Sequence, residues 1–234
     1  DEAVRELAAR TLPESLVDFE RVALEDESPA VQAAALRRIA NPAAENLLLE
    51  RLEDSDPFLQ QAARRGLQQS VTVSRLVELS SHERSAVRLA AVLLLRGGPN
   101  STLDDNTNES GRPSPTDRDA VVSRALQDDN PDLRFAAVEW IGREQLSQFR
   151  QPLRDGLATG ANTPDLFQAY LAALAQLDGV MEHWTSSTVG DWWAKRSKSY
   201  TYVAKLLENE ESSPTVLQQS LLFLPVKHPL LTID

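Results

Sequence analysis

Apolar and polar positions recur along this chain in one repeated order. A proline, once replaced by serine, is followed two residues later by an aliphatic or aromatic side chain. Small residues come at five and six, and an apolar residue at ten. Four segments carry the pattern clearly: Pro29-Val31-Ala34-Ala35-Ile39, Pro57-Leu59-Ala62-Ala63-Leu67, Ser85-Val87-Ala90-Ala91-Leu95 and Pro131-Leu133-Ala136-Ala137-Ile141. Two carry it more weakly: Pro164-Leu166-Ala169-Tyr170-Leu174 and Pro214-Val216-Gln219-Ser220-Leu224. On a helix of 3.6 residues per turn these positions share one side. The small pair lets a neighbouring helix come close, and the larger residues fill the space around it. Proline suits a first helical turn, where its missing N–H costs nothing. Ser28, Asp56 and Asn130 stand just before it as candidate caps.

A second amphipathic stretch precedes each of these helices, at 14–25, 44–53, 72–80, 117–127, 145–158 and about 190–209. Each unit therefore reads as a helical hairpin, which cannot bury its apolar face alone and must stack on its neighbours. The starts at 29, 57 and 85 are 28 residues apart, and the next interval is 46. The excess matches the polar stretch GGPNSTLDDNTNESGRPSP, whose composition reads as a loop insertion over 97–116. Later intervals of 33 and 50 residues call for further insertions, including an irregular one over 178–213. The expected architecture is all-α: a right-handed α-α superhelix of about six helical hairpins, forming a single solenoid over 1–234. The opening EAVRELAARTL is already in a helical pattern, so the chain reads as a fragment of a longer polypeptide.

Composition narrows the function. Hydrophobic residues make up 41% of the 234 residues, enough for a real core. Lys and Arg total 24 against 35 Asp and Glu, a net charge of −11. That field repels phosphate backbones and anionic lipid, so neither nucleic acid nor a membrane surface is an expected partner. Cysteine is absent, which removes disulfides, thiolate metal sites and a cysteine nucleophile, and which fits either redox compartment. No apolar stretch reaches the roughly 18 residues that a membrane span needs. His82, His183 and His228 are far apart and lack metal-ligand spacing. No Gly-rich phosphate loop, nucleophile elbow or paired catalytic carboxylate occurs. No catalytic, metal or cofactor site is expected, and the chain is not expected to be an enzyme.

The segments DESPAVQAAALRRIA, DSDPFLQQAARRGLQ, ERSAVRLAAVLLLR and DNPDLRFAAVEWIG resemble HEAT repeats, especially the short, bilin-lyase-like kind. The resemblance covers roughly residues 14–225 and implies an armadillo-like α-solenoid that binds protein. Arg88 and Arg134 match that family's arginine position. Gln32, Gln60, Phe167 and Leu217 depart from it, so any Asp/Arg ladder between repeats is incomplete. DPFLQQAAR, LRFAAVEWIGREQL, DLFQAYLAALAQLDG and LPVKHPLLTID are similar to the HEAT region of large secreted proteins of planctomycete-type bacteria. In those it accompanies a dehydrogenase-like β-propeller and a c-type cytochrome domain. This resemblance implies a periplasmic or secreted location and a linking role. The residues alone leave a cytoplasmic location equally open.

Two groups of residues stand out as candidate protein-binding sites. Positions 4 and 8 of the pattern point away from the predicted core. They hold Ala33, Arg37, Gln61 and Arg65 in the first two repeats, but Leu89, Leu93 and Phe135, with Glu139, in the next two. Something should cover that apolar strip: the 97–115 insertion, a neighbouring domain or a partner peptide. The second group is the segment 184–202, with Trp184, Trp192, Trp193, Lys195, Arg196, Lys198, Tyr200 and Tyr202. It reads either as an irregular helix capping the stack or as an aromatic and cationic patch for an anionic or planar ligand. Arg37, Arg38, Arg64 and Arg65 recur one repeat apart, as a lined face or as a solvated row. The expected function is a scaffold for protein–protein or interdomain contacts. The alternative is a lyase-like or ligand-binding subunit using 184–202. A DNA-base glycosylase of HEAT-like helices would need a basic concave face, against which the net charge argues.

Overall fold

A computed structural model describes residues 1–13, 15–97, 112–158, 163–178, 201–209 and 211–223. In chain order the helices are α1 (Glu2–Thr11), α2 (Phe19–Glu25), α3 (Pro29–Leu36), α4 (Glu45–Arg51), α5 (Pro57–Ser70), α6 (Val73–Leu79) and α7 (Ser85–Gly97). After these come α8 (Pro115–Leu126), α9 (Pro131–Arg143), α10 (Arg150–Ala158) and α11 (Pro164–Leu177). The helical residues 201–208 (α12) and α13 (Pro214–Phe223) complete the set. No strand occurs among the described residues. Each of the six predicted second helices begins on its template residue.

The caps explain why the starts fall so regularly. Ser28 accepts from the Val31 N–H at 3.4 Å, Asp56 from Phe58 at 2.8 Å, and Asn130 from Asp132 at 2.8 Å. Thr163 accepts from Leu166 at 3.2 Å and Ser213 from Val216 at 3.3 Å. Each satisfies an N–H that has no partner within the helix. Four of the first helices, α2, α4, α6 and α10, are shorter than the hydrophobic pattern predicts, while α8 starts two residues earlier, at Pro115. Asp18 caps α2, which trims 14–25 to its second half. Asn41 opens a 3-10 turn at Pro42–Ala44 before α4. Within 145–158, Gln145 takes a positive φ of 52° and ends α9, and a 3-10 turn at Ser147–Phe149 leads into α10.

The chain forms two compact units, Asp1–Val121 and Val122–Asp234. In the first, α2 packs on α3, α4 on α5 and α6 on α7, while α1, α3, α5 and α7 lie side by side in that order. This is an α-solenoid of hairpins. Its core is made of the template residues: Val31, Ala34, Ala35 and Ile39, then Leu59, Ala62, Ala63 and Leu67, then Val87, Ala90, Ala91 and Leu95, all buried. Opposite them α4 buries Leu48, Leu49 and Leu52, and α6 buries Leu76 and Leu79. Each fully buried leucine contributes roughly 1.5–3 kcal/mol relative to exposure. Gly66 allows the closest approach: a Cβ there would stand 2.5 Å from the Leu36 carbonyl oxygen and 2.7 Å from Leu48 Cδ2.

In the second unit α9 packs on α11, α10 on α11, and α11 on α13. Leu133, Ala136, Ala137 and Ile141 of α9 repeat the template core, as do Leu166 and Leu174 of α11. Where earlier repeats carry the second small residue, α11 carries Tyr170, also buried. The small residue has moved to the facing helix: a Cβ on Gly156 of α10 would lie 2.7 Å from the Tyr170 hydroxyl.

Candidate functional site

The turn between the two helices of a hairpin is built the same way in successive repeats. Asp26, Asp54 and Asp128 each accept, through the side chain, the backbone N–H two residues on (Ser28, Asp56 and Asn130), each at 2.9 Å. The carbonyl of the same aspartate then accepts from a side chain six residues on: Gln32 at 2.5 Å, Gln60 at 2.7 Å and Arg134 at 3.1 Å. In the third turn His82 takes the aspartate's place. Its Nδ1 accepts from the Arg84 N–H at 3.1 Å, and its carbonyl accepts from Arg88 at 2.9 Å. Glutamine and arginine three residues after the start of the template thus act alike, as donors that lock their own turn. The departures at Gln32 and Gln60 leave this clamp intact. Phe167 is a real departure, because its side chain is buried in the core instead.

Ion pairs reinforce these turns. Arg5 of α1 binds Asp26 with both Nε, at 2.8 Å, and Nη2, at 3.2 Å. The Arg5 guanidinium, with help from the Ser28 N–H, holds the Asp26 carboxyl below its ordinary range. Arg51 binds Asp54 at 3.0 Å and donates to the carbonyl of Ala23, 28 residues earlier, at 3.1 Å. Arg75 meets Glu45 at 2.7 Å across neighbouring first helices and Glu78 at 2.7 Å on its own.

The predicted arginine row divides between two roles. Arg38 is a packing residue: it donates to the carbonyls of Arg10 at 2.7 Å and Leu12 at 3.2 Å, and lies 5.0 Å over the Phe19 ring. Arg64 and Arg65 bond to Gln61 and Gln68 of their own helix, each at 2.5 Å. Burial pushes the Arg64 guanidinium below its ordinary value.

The outward strip is more mixed than its spacing suggests. Leu89 and Leu93 lie one turn apart on α7 in the first unit, both half-buried. The equivalent Gln61 and Arg65 of α5 are exposed. Phe135 and Glu139 lie one turn apart on α9 in the second unit, half-buried and exposed respectively. Ala33, expected to point away from the core, is buried.

Trp184, Trp192, Trp193, Lys195, Arg196, Lys198 and Tyr200 lie outside the described residues, as do His183, His228 and most of the 97–116 insertion. From the aromatic and cationic segment, Tyr202 is described. Its hydroxyl donates to Asp178 Oδ2 at 2.6 Å, and its ring lies 5.9 Å from the Arg154 guanidinium. Arg150 binds the other oxygen of Asp178 and donates to the Leu177 carbonyl at 2.7 Å. Burial, aided by the bond to Asp178, pushes the Tyr202 phenol above its ordinary value. These four side chains join α10, the end of α11 and α12. Among the described residues no cluster of His, Asp and Glu could hold a metal ion, and no helix is long and apolar enough to cross a membrane.

One surface was missed at the sequence level. Val4, Leu7 and Leu12 of the first helical pattern are exposed by 64%, 61% and 37%. Aligning EAVRELAARTL with the template, Glu2 in place of the proline, was the signal available.

The described residues thus define an all-α protein of stacked helical hairpins. No family model matches this chain, and no curated protein matches it. Among solved structures, the X-ray structure of YibA from Escherichia coli is similar over 96% of this chain and 77% of that one, with 16% identity and a TM-score of 0.41. At that score the fold assignment stands on the helix pairs and turn clamps themselves.

Proposed function

We propose that this chain is a non-catalytic HEAT-type scaffold mediating protein–protein or interdomain contacts. The observation that carries the reading is the change at outward positions 4 and 8: exposed Gln61 and Arg65 on α5 give way to Leu89 and Leu93 on α7. An apolar pair on a repeat whose core is already complete is suited to a protein surface. Crosslinking on the full-length parent, comparing wild type with Leu89→Asp and Phe135→Asp singly and together, tests it. Loss of a partner or interdomain crosslink in a folded variant supports the reading. Retention of every contact by the folded double variant removes it.

The resemblance to planctomycete-type secreted proteins favours a linking role beside a propeller and a c-type cytochrome domain, in an exported protein. A heme-attachment motif in the reading frame flanking residues 1–234 is the expected finding. Saturable tetrapyrrole binding that Trp192→Ala abolishes would instead favour the ligand-binding alternative.

A further inference from the structure

Charge is segregated between the two helices of each hairpin in the first unit. α3, α5 and α7 contain no Asp or Glu, whereas α2, α4 and α6 carry Glu20, Glu25, Glu45, Glu50 and Glu78. Outward position 8 holds Arg37 at the end of α3, Arg65 on α5 and Leu93 on α7, three helices that lie side by side. Arg37 and Arg65 adjoin the tight contact between α3 and α5. Each is next in sequence to Leu36 or Gly66, where a Cβ on Gly66 would stand 2.5 Å from the Leu36 carbonyl oxygen. The Gln69 side chain also donates to the Arg37 carbonyl at 3.0 Å. Arg64 adds a third cation at position 7, where Leu36, Val92, Val138 and Leu171 are buried in other repeats. Elsewhere in this unit Arg5, Arg51, Arg75 and Arg84 are matched by carboxylates. Among the described residues these three are not. Arg64 and Arg65 bond to Gln61 and Gln68, and no ion pair or side-chain hydrogen bond holds Arg37. Neighbouring like charges repel, and partial burial weakens the screening by water. Arg64 feels that burial with no carboxylate to offset it.

We infer that Arg37, Arg64 and Arg65 form the docking site for an acidic segment of a protein partner, whose apolar contact is the Leu89–Leu93 pair. Carboxylates pair with arginine forks in fixed, often two-pronged geometry, so a partner bearing them supplies the counter-charge that this face lacks. The inference rests on the scaffold reading for its claim that the occupant is protein, and it names that partner's chemistry. A phosphate backbone carries the same sign, but the net charge of −11 opposes a long polyanion, while a short segment meets the local face. The second unit lacks this character: position 8 of α9 is Glu139.

Fluorescence anisotropy of the full chain with a short labelled peptide of repeated Glu-Glu-Leu tests it, against a Gln-Gln-Leu peptide and a short DNA duplex. The expected result is saturable binding of the acidic peptide, at least about tenfold tighter than its glutamine control and weakened by salt. Arg37→Gln, Arg64→Gln and Arg65→Gln together should weaken it by about tenfold or more. Arg65→Glu alone should weaken it several-fold; Arg65 is exposed and bonds within its own helix, so this variant decides the matter if the triple one unfolds. Unchanged binding by folded arginine variants overturns the inference, and if Leu89→Asp still abolishes a partner crosslink the scaffold reading survives it. Arginine-dependent peptide binding beside crosslinks that Leu89→Asp and Phe135→Asp leave intact supports this inference and sinks the other. Equal binding of the glutamine control, or tighter arginine-dependent binding of the duplex, also overturns it. Tighter peptide binding after Asp104→Asn, Asp105→Asn and Glu109→Gln would assign the row to the chain's own insertion, and a dimer that Arg65→Glu splits would assign it to a second copy; either result overturns it.

Discussion

The two units solve one packing problem with different residues. In the first, each second helix presents two adjacent alanines, Ala34-Ala35, Ala62-Ala63 and Ala90-Ala91, and the larger side chains come from the partner helix. In the second, α9 keeps the alanine pair but α11 replaces one member with Tyr170, and Gly156 on α10 makes room for the ring. Close packing fixes the summed volume at a contact and leaves open which helix supplies it. The repeat is thus a rule about space, of which the alanine pair is one solution.

The largest expected effect comes from emptying the second solution. Tyr170→Ala should lower the stability of the second unit by about 3–4 kcal/mol in chemical denaturation, because the glycine opposite cannot fill the cavity. Combining it with Gly156→Ala should recover at least about 1 kcal/mol relative to additivity, since each change relieves the other. Simple additivity would show that the two positions do not share one contact.

Gly66→Ala probes the first unit. Its new methyl meets the Leu36 carbonyl, which is backbone and cannot swing aside, so a loss of about 2–3 kcal/mol is expected. A neutral result would mean that α3 and α5 approach less closely than the alanine pairs suggest.

The turn clamps use glutamine or arginine within the first unit and arginine in the second. Gln60→Ala should cost about 1 kcal/mol, the value of one hydrogen bond, whereas Gln60→Arg should be nearly neutral because Arg134 makes the same bond in the second unit. A smaller gain is expected at Gln145. There α9 ends with the Leu146 N–H on the Ile141 carbonyl and the Gln145 N–H on the Gly142 carbonyl, with Gln145 left-handed. Gln145→Gly should raise stability by roughly 0.5–1 kcal/mol, seen as a higher melting midpoint.

The smallest effect is alkaline. Because the Tyr202 phenol is raised in the fold, its neutral form is favoured there. The resulting stability is full below the ordinary tyrosine value of about 10 and declines as pH rises through the higher folded value. Phenolate absorbance and stability titrated together should show this step, and Tyr202→Phe should remove it. Tyr170, raised by burial, should keep titrating late in that variant.

Much of this was legible in the residues. Proline after a capping side chain marked the start of the second helices other than α7, which begins at Ser85, because both signals act locally, on one turn of backbone. Boundaries of the first helices were less legible. The left-handed Gln145 and the 3-10 turn before Arg150 depend on how α9 must end for Leu146 to be buried. The candidate strip was legible only as a pattern. Spacing correctly separates Leu89 and Leu93 from the buried Ala90 and Ala91, but it does not say how much a neighbouring helix covers a side chain. Ala33 shows the limit: it faces outward by periodicity and is buried all the same.

By itself, then, the sequence determined an all-α chain of hairpins, the first residue of each second helix and the residues of its core. These follow from helix period, cap chemistry and side-chain size within a dozen residues. Tertiary structure alone decided that Arg38 binds carbonyls of α1. It also decided that Gly156 balances Tyr170, and that the face of α1 stays open. Each of those depends on what another helix places within a few ångströms, and distance in space is not written in spacing along the chain.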